Sequence, residues 1–187
     1  MKQLLALFLL LCMSLTCVSC AQTSPVPTAE PAAALPSWPP EITDGASEIL
    51  TSMFSPTNGY LLKKGYPAIG LMQSTLYRTT DGQSWTVVRE IHDDVHNYPK
   101  VLYFWSENSG VILTNYHGYD ECVYLTLDGG RTWAPIVIAP DDVPAGYRYL
   151  EGERAWPEDG QIMLELSAHY EDREPVVFCV PAILPQT

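Results

Sequence analysis

The chain has 187 residues, 47% of them hydrophobic and 17% charged, which is enough apolar matter for a folded core and excludes bulk disorder. Its formal net charge is −12, and the ten basic residues are scattered singles apart from Lys63-Lys64, which excludes an electrostatic grip on nucleic acid. Sixteen prolines, twelve glycines and eleven tyrosines, with no long Ala/Leu/Glu/Lys stretch after residue 20, argue against a helical bundle.

In chain order, residues 1–19 read as a lipoprotein-type signal peptide. Lys2 supplies a minimal positive start, and Leu4 to Met13 is an apolar run too short to span a bilayer. Cys20 follows the small residue Ser19 and is the expected lipid-attachment site, although Cys17 stands where Leu is usual. Ordinary cleavage after Ala21, which would release a secreted protein, is the alternative. Residues 20–40 are rich in Pro, Ala, Ser and Thr, the composition of a semi-rigid extended linker. The expected location is therefore a cell-membrane anchor facing the extracytoplasmic side, with membrane contact through the lipid alone.

Residues 41–187 form the expected folded domain, and it repeats itself. Met53-Phe54-Ser55-Pro56-Thr57-Asn58-Gly59-Tyr60-Leu61-Leu62 resembles Tyr103-Phe104-Trp105-Ser106-Glu107-Asn108-Ser109-Gly110-Val111-Ile112-Leu113. Leu76-Tyr77-Arg78-Thr79-Thr80-Asp81-Gly82-Gln83-Ser84-Trp85 resembles Val123-Tyr124-Leu125-Thr126-Leu127-Asp128-Gly129-Gly130-Arg131-Thr132-Trp133. A decayed third copy begins at Trp156 and runs to Phe178. A period near 50 residues with about four short strands per unit is what a propeller blade needs. The fold class is therefore all-β: three propeller-like repeats of short antiparallel strands, a partial or compact propeller with little helix. One helical turn is expected near 46–52. Ser84–Val88 and Trp133–Ile138 read as strands entered from glycine turns. Pro135 removes a ladder donor, which makes its strand an outer edge.

His92-Asp93-Asp94-Val95-His96-Asn97 is the densest run of ligand-type residues, followed by His117 and Asp120-Glu121. It is expected to be a solvated loop between repeats, with no metal or cofactor. Calcium, if bound, would prefer this run or Asp141-Asp142. Cys122 and Cys179 fall at opposite strand parity and are expected free, buried and structural. Tyr66, Tyr116, Tyr119, Tyr147 and Tyr149 are expected exposed in loops with Gly and Pro and are candidate interface residues.

Thr126 to Trp133 fits Ser/Thr-x-Asp-x-Gly-x-Thr-Trp in full, and Thr79 to Trp85 is one residue shorter. The chain therefore resembles the sialidase/Asp-box (BNR) repeat superfamily and, in the shorter form, photosystem II assembly factor-like extracytoplasmic repeat proteins. The residues carrying the motif, Thr79, Asp81, Gly82, Ser84, Trp85, Thr126, Asp128, Gly130, Thr132 and Trp133, have a folding role on their own chemistry. The aspartate caps turn N–H groups, glycine supplies positive φ, the hydroxyl pins the second strand and tryptophan covers the hairpin. The resemblance implies a place at the blade periphery, for the boxes and for Arg78 and Arg131 beside them. It also raises sialidase chemistry, which needs converging arginines and a tyrosine paired with glutamate. Six arginines and no Phe/Tyr-Arg-Ile-Pro element argue against that, and no catalytic residue is expected. The sequence thus points to a non-catalytic, surface-tethered binding or assembly module with an unidentified protein or glycan partner. The alternative is a partial glycosidase-like domain that binds or cleaves carbohydrate. The repeats are expected to form a compact monomer with tyrosines capping its ends.

Overall fold

The computed structural model describes residues 38–68 and 71–182; the expected signal, Cys20 and the linker up to residue 37 lie outside the described residues. Three antiparallel sheets follow one another along the chain. Sheet 1 has β1 (Glu48–Met53), β2 (Gly59–Ala68), β3 (Leu71–Thr79) and β4 (Thr86–Glu90). Sheet 2 has β5 (Tyr98–Phe104), β6 (Gly110–Asn115), β7 (Val123–Thr126) and β8 (Ala134–Pro135). Sheet 3 has β9 (Tyr149–Glu158), β10 (Gln161–His169) and β11 (Val176–Pro181), with β10 in the middle. Within sheets 1 and 2 the strand order is the chain order, as in a propeller blade, and β5 packs against both β1 and β9.

The repeated hairpin turn has one mechanism in both copies. Phe54 N–H donates to the Asn58 carbonyl and Trp105 N–H to the Ser109 carbonyl, at 3.1 and 3.2 Å. Within those turns Ser55 Oγ accepts from Asn58 N–H at 2.9 Å, and Ser106 Oγ accepts from Ser109 N–H at 3.0 Å. The third repeat replaces this five-residue turn with Asp159-Gly160, both at positive φ (48° and 78°), a two-residue hairpin whose twist suits its strands.

Sheet 2 is buried on both faces, and this explains why β6 and β7 read as unbroken apolar runs rather than alternating ones. Val111, Leu113, Val123 and Leu125 face a core shared with Leu164, Leu166 and Ala168 of sheet 3. Ile112, Tyr124 and Phe104 face a second core with Tyr60, Leu62 and Leu76 of sheet 1. Gly152 of β9 permits the close approach of sheet 3, because a Cβ there would overlap Leu113. The outer face of sheet 1, with Leu61 and Tyr77, is covered by Ile42 and Trp38.

Three expectations of local structure are corrected. The one described α-helical turn is Pro40–Thr43, while Glu48–Met53, in the stretch expected to be helical, is strand β1. Its register against β2, from Glu48 opposite Lys64 to Met53 opposite Gly59, decides the outcome over local propensity. Trp133–Ile138 pairs as a strand only at Ala134–Pro135, where it is the outer edge of sheet 2 as Pro135 requires. The end caps are also different. Trp38 and Ile42 cover sheet 1, whereas Tyr116 and Tyr149 stack on each other between sheets 2 and 3. Trp38 lies in the last residues expected to be linker, yet its ring meets Trp85 edge-on at 5.3 Å.

Candidate functional site

The two Thr–Asp–Gly turns are built alike. In the first, Asp81 Oδ1 accepts from Gln83 N–H at 2.8 Å and Ser84 N–H at 2.7 Å, while Gly82, at φ 73°, donates to Thr79 Oγ1 at 2.9 Å. These amides hold the Asp81 carboxyl well below the usual carboxylate range. In the second, Asp128 Oδ1 accepts from Thr132 N–H at 2.9 Å and Oδ2 from Thr132 Oγ1 at 2.8 Å. Gly130 N–H donates to Thr126 Oγ1 at 2.8 Å. Burial pushes the Asp128 carboxyl up, but the Thr132 and Thr126 hydrogen bonds outweigh it and the net shift is downward. The extra residue of the second turn gives it two left-handed glycines, Gly129 and Gly130, where the first has Gly82.

The second turn is not peripheral. Trp133 is buried between sheets 1 and 2, edge-on to Phe104 with ring centroids 5.9 Å apart. A Cβ at Gly130 would overlap Leu76 of sheet 1, and one at Gly129 would lie 2.9 Å from Tyr60 Oη. The turn is thus a clasp between two sheets, which is why it has little tolerance for side chains.

Arginines gather at the same seam, and each is committed. Arg78 pairs with Glu107 at 2.6 Å, and Arg89 with Asp94 at 2.9 Å. Arg89 also donates to the Arg131 carbonyl at 2.6 Å, and Arg131 to the Asp128 carbonyl at 2.8 Å. Tyr60 is fully buried and donates to the Glu107 backbone carbonyl at 2.6 Å, not to its carboxylate. Burial raises the Tyr60 phenol pKa, which keeps the hydroxyl protonated as a hydrogen-bond donor.

The richest polar geometry lies at one end of sheets 2 and 3, organised by Asn97. This residue is 1% exposed and sits at φ 66°, a left-handed position that asparagine tolerates better than most. Its amide donates to the carbonyls of Tyr119 (3.0 Å) and Glu121 (2.8 Å), and its oxygen accepts from His117 N–H (2.8 Å) and Tyr119 N–H (3.3 Å). Both hydrogens and both lone pairs of the carboxamide are used, so the 116–121 loop is held by one side chain. Three tyrosine–histidine stacks surround it. His96 lies on Tyr119 at 4.5 Å, His117 on Tyr98 at 3.4 Å, and His169 on Tyr149 at 4.6 Å, with Tyr116 on the other side of Tyr149 at 4.3 Å.

Beneath the last stack runs a polar chain. Lys100 pairs with Glu153 at 2.5 Å, and Ser167 Oγ donates to Glu153 at 2.7 Å and lies 3.2 Å from His169 Nε2. Burial pushes the Glu153 carboxyl up, but hydrogen bonds from Lys100 and Ser167 outweigh it and hold it below its ordinary range. Glu151 also meets His169 at Nε2, at 3.5 Å. A catalytic triad needs the nucleophile and the orienting acid on different ring nitrogens. Here both approach the same one, and the cluster ties β9 to β10 and, through Lys100, to β5.

Beside the 116–121 loop a cleft of about 240 Å³ opens between sheets 2 and 3. Its floor is Cys122, Ile136, Ile138 and Leu150, and its rim carries Asp120, Glu121 and Tyr147. Burial pushes the Cys122 thiol up to about 12, so it lines the floor as an apolar group.

Four of the five candidate interface tyrosines lie at this end of the fold, Tyr116 and Tyr149 in contact with each other. Tyr119 and Tyr147 are exposed, and Tyr116 and Tyr149 are half-buried in their stack. Tyr66 stands apart on β2 of sheet 1, 72% exposed, and it and Tyr149, which opens β9, lie in strands rather than loops. The run from His92 to Asn97 is not simply solvated: Val95 and Asn97 are buried, and Asp94 ties back to Arg89. Among the described residues no group of three or more His, Cys, Asp or Glu is arranged to hold a metal. Cys122 and Cys179 are free, but Cys179 is exposed rather than buried, because β11 is the outer strand of sheet 3. Tyr98, His169 and the keystone role of Asn97 carry no signal in the sequence. Their partners lie some twenty residues or more away along the chain, and no local spacing marks them.

No family model matches the chain, and no curated protein matches it. It is similar to the solved structure of YCF48 bound to D1 peptide, with a TM-score of 0.34 and 16% identity over 71% of this chain and 55% of that one. The chain thus spans about half the length of that structure.

Proposed function

We propose that the protein is a non-catalytic binding or assembly module, tethered by lipid at Cys20 and spaced from the membrane by residues 20–40, with a protein or glycan partner. The observation that carries this reading is the aromatic end of sheets 2 and 3. There the tyrosine–histidine stacks and the fully bonded Asn97 fix a surface before any partner arrives. Preorganised aromatic side chains bind at low entropic cost. The two Thr–Asp–Gly turns, read as Asp-boxes, act as scaffold.

A partial glycosidase-like domain is the competing reading, favoured by the convergence of Arg78, Arg89 and Arg131. It needs those guanidinium groups free for a substrate carboxylate and a tyrosine activated by a carboxylate, whereas each arginine is bonded within the fold. A glycan array combined with a fluorogenic sialoside assay and affinity enrichment of protein partners tests the proposal. The expected result is partner binding without turnover; sialoside cleavage above a heat-treated control would overturn it. For the tether, globomycin-sensitive processing and loss of membrane association in Cys20→Ala are expected. A mature protein beginning at Gln22 in the medium would show a secreted form instead.

A further inference from the structure

Resting on that reading, we propose that the cleft between sheets 2 and 3 receives one Lys or Arg side chain from an extended segment of a protein partner. The aliphatic stem lies on the apolar floor, and the charge meets Asp120 and Glu121. Size comes first. The cleft holds about 240 Å³, below the roughly 300–1,000 Å³ of pockets that enclose drug-sized ligands. It suits one or two side chains of a larger molecule better than a whole small molecule or a sugar chain.

The chemistry of the walls selects which side chain. Ile136, Ile138 and Leu150 offer an apolar floor, and Cys122 adds no charge because its thiol stays protonated. At the rim, Asp120 and Glu121 are exposed carboxylates, and Tyr147 presents an aromatic ring beside them. An apolar stem with a cationic head is the side chain that satisfies both zones, since Lys and Arg bury their methylenes while keeping the charge wet. The Tyr147 face can add a cation–π contact. Tyr147 also borders a broader hollow lined by Arg148 as well as Glu171 and Asp172, so the uncompensated negative charge at the cleft is that of Asp120 and Glu121. A net charge of −12 steers cationic partners toward the surface as a whole.

The neighbouring chain suits an extended partner. After Ile136, whose N–H still donates to the Val123 carbonyl at 2.9 Å, the segment leaves the ladder: among the described residues Val137 and Ile138 belong to no strand, and Val137 is 82% exposed. The Val137 side chain and its backbone therefore flank the cleft mouth, where an extended peptide could run alongside.

The test uses the ¹⁵N-labelled full chain and two capped peptides, Ac-Val-Leu-Lys-Leu-Val-NH₂ and the same sequence with Glu for Lys. The lysine peptide is expected to shift the amides of Glu121, Cys122, Val137, Tyr147 and Leu150 saturably, and added salt to weaken it. The glutamate peptide should bind at least about tenfold more weakly. In Asp120→Lys/Glu121→Lys that preference should reverse, because both carboxylates are exposed and their side chains hold nothing in the fold. Tyr147→Ala, also exposed, gives a second variant with an expected loss for the lysine peptide. Equal binding of the two peptides, shifts elsewhere on the chain, or displacement of the lysine peptide by maltohexaose would overturn the cleft assignment. A partner from the enrichment that binds wild type and double-lysine variant equally would overturn the cleft and leave the binding-module reading standing. Sialoside turnover would overturn the module itself.

Discussion

Gly130 meets Leu76 across the seam of sheets 1 and 2 so closely that a Cβ on Gly130 would overlap Leu76 Cδ2, and Gly130 sits at φ 81°. Two penalties therefore fall on Gly130→Ala: left-handed strain of about 1–2 kcal/mol and overpacking of about 1–3 kcal/mol. Gly146 separates them, because it sits at φ 77° and a Cβ there would meet nothing within 4 Å. Gly146→Ala is expected to lower stability by the strain alone, and Gly130→Ala by about 2–5 kcal/mol in denaturant unfolding. Equal losses would mean that the clasp between the sheets is looser than its geometry.

The tryptophan and aspartate of the same turn carry different loads. Trp133→Ala removes a ring buried between two sheets and is expected to cost about 3–5 kcal/mol. Asp128→Ala removes the acceptor of the exposed Thr132 amide, which water can then reach, and should cost about 0.5–1.5 kcal/mol. If either abolished partner binding while the melting temperature stayed put, these residues would be contact residues rather than scaffold.

Acid should unfold the chain partly through these aspartates. Asp81 and Asp128 have folded-state pKa values below that of an unfolded aspartate, about 3.9. Their contribution is complete above that value and is lost as pH falls through the lowered folded values. The wild type should lose more melting temperature between pH 6 and pH 2.5 than Asp81→Ala/Asp128→Ala does. Parallel pH profiles would remove the turns as the cause.

Much of this architecture is legible in the sequence because the repeat carries its own turn chemistry. Ser55 and Ser106, Asp81 and Asp128, and the positive-φ glycines occupy matching places, so one motif announces the strand order of two sheets. The third sheet has lost that chemistry, and a decayed copy from Trp156 to Phe178, with Gly160 at the repeat spacing, announces it. Glu48–Met53 escapes a local reading because its polar residues hide a strand that is decided by pairing with β2. The aromatic end is half legible. Tyrosines near glycine and proline mark the region, but the contacts of Asn97 with Tyr119 and Glu121, and of His169 with Tyr149, exist only once sheets 2 and 3 meet.

Asn97 should therefore be the sensitive point of the aromatic end. Asn97→Ala leaves the backbone donors of His117 and Tyr119 and the carbonyl of Glu121 without partners, at a cost of about 1–3 kcal/mol. Hydrogen exchange at those two amides should accelerate more than in Leu125 or Tyr124, which belong to β7. Asn97→Gly, which accepts positive φ without strain, should relieve little of the loss if hydrogen bonding dominates; full rescue by glycine would assign the role to backbone conformation instead.

The two thiols of the fold should separate cleanly. Cys122 is 3% exposed with its thiol pushed up to about 12, whereas Cys179 lies exposed on β11. Brief iodoacetamide treatment of native protein followed by peptide mass mapping should find Cys179 alkylated and Cys122 intact, with both modified after denaturation. A disulfide between them, or early loss of Cys122, would contradict the packing of Cys122 in the core of sheets 2 and 3.

The outer strand β11 poses the last question, because an exposed edge is a template for a second chain. Val176 and Val177 are 39% and 58% exposed there, and Cys179 is accessible. The edge is nonetheless blunted at both ends. Glu171, Asp172 and Glu174 with Pro175 precede it, and Pro181 closes it without a donor. Two copies paired along β11 would bring those carboxylates together on chains that each carry −12. The expected state is a monomer at low salt, read as the monomer mass in light scattering of the soluble chain from Ser37 onward. Val177→Lys should leave that mass unchanged. A stable dimer of wild type that Val177→Lys dissociates would instead make β11 the assembly surface of the protein.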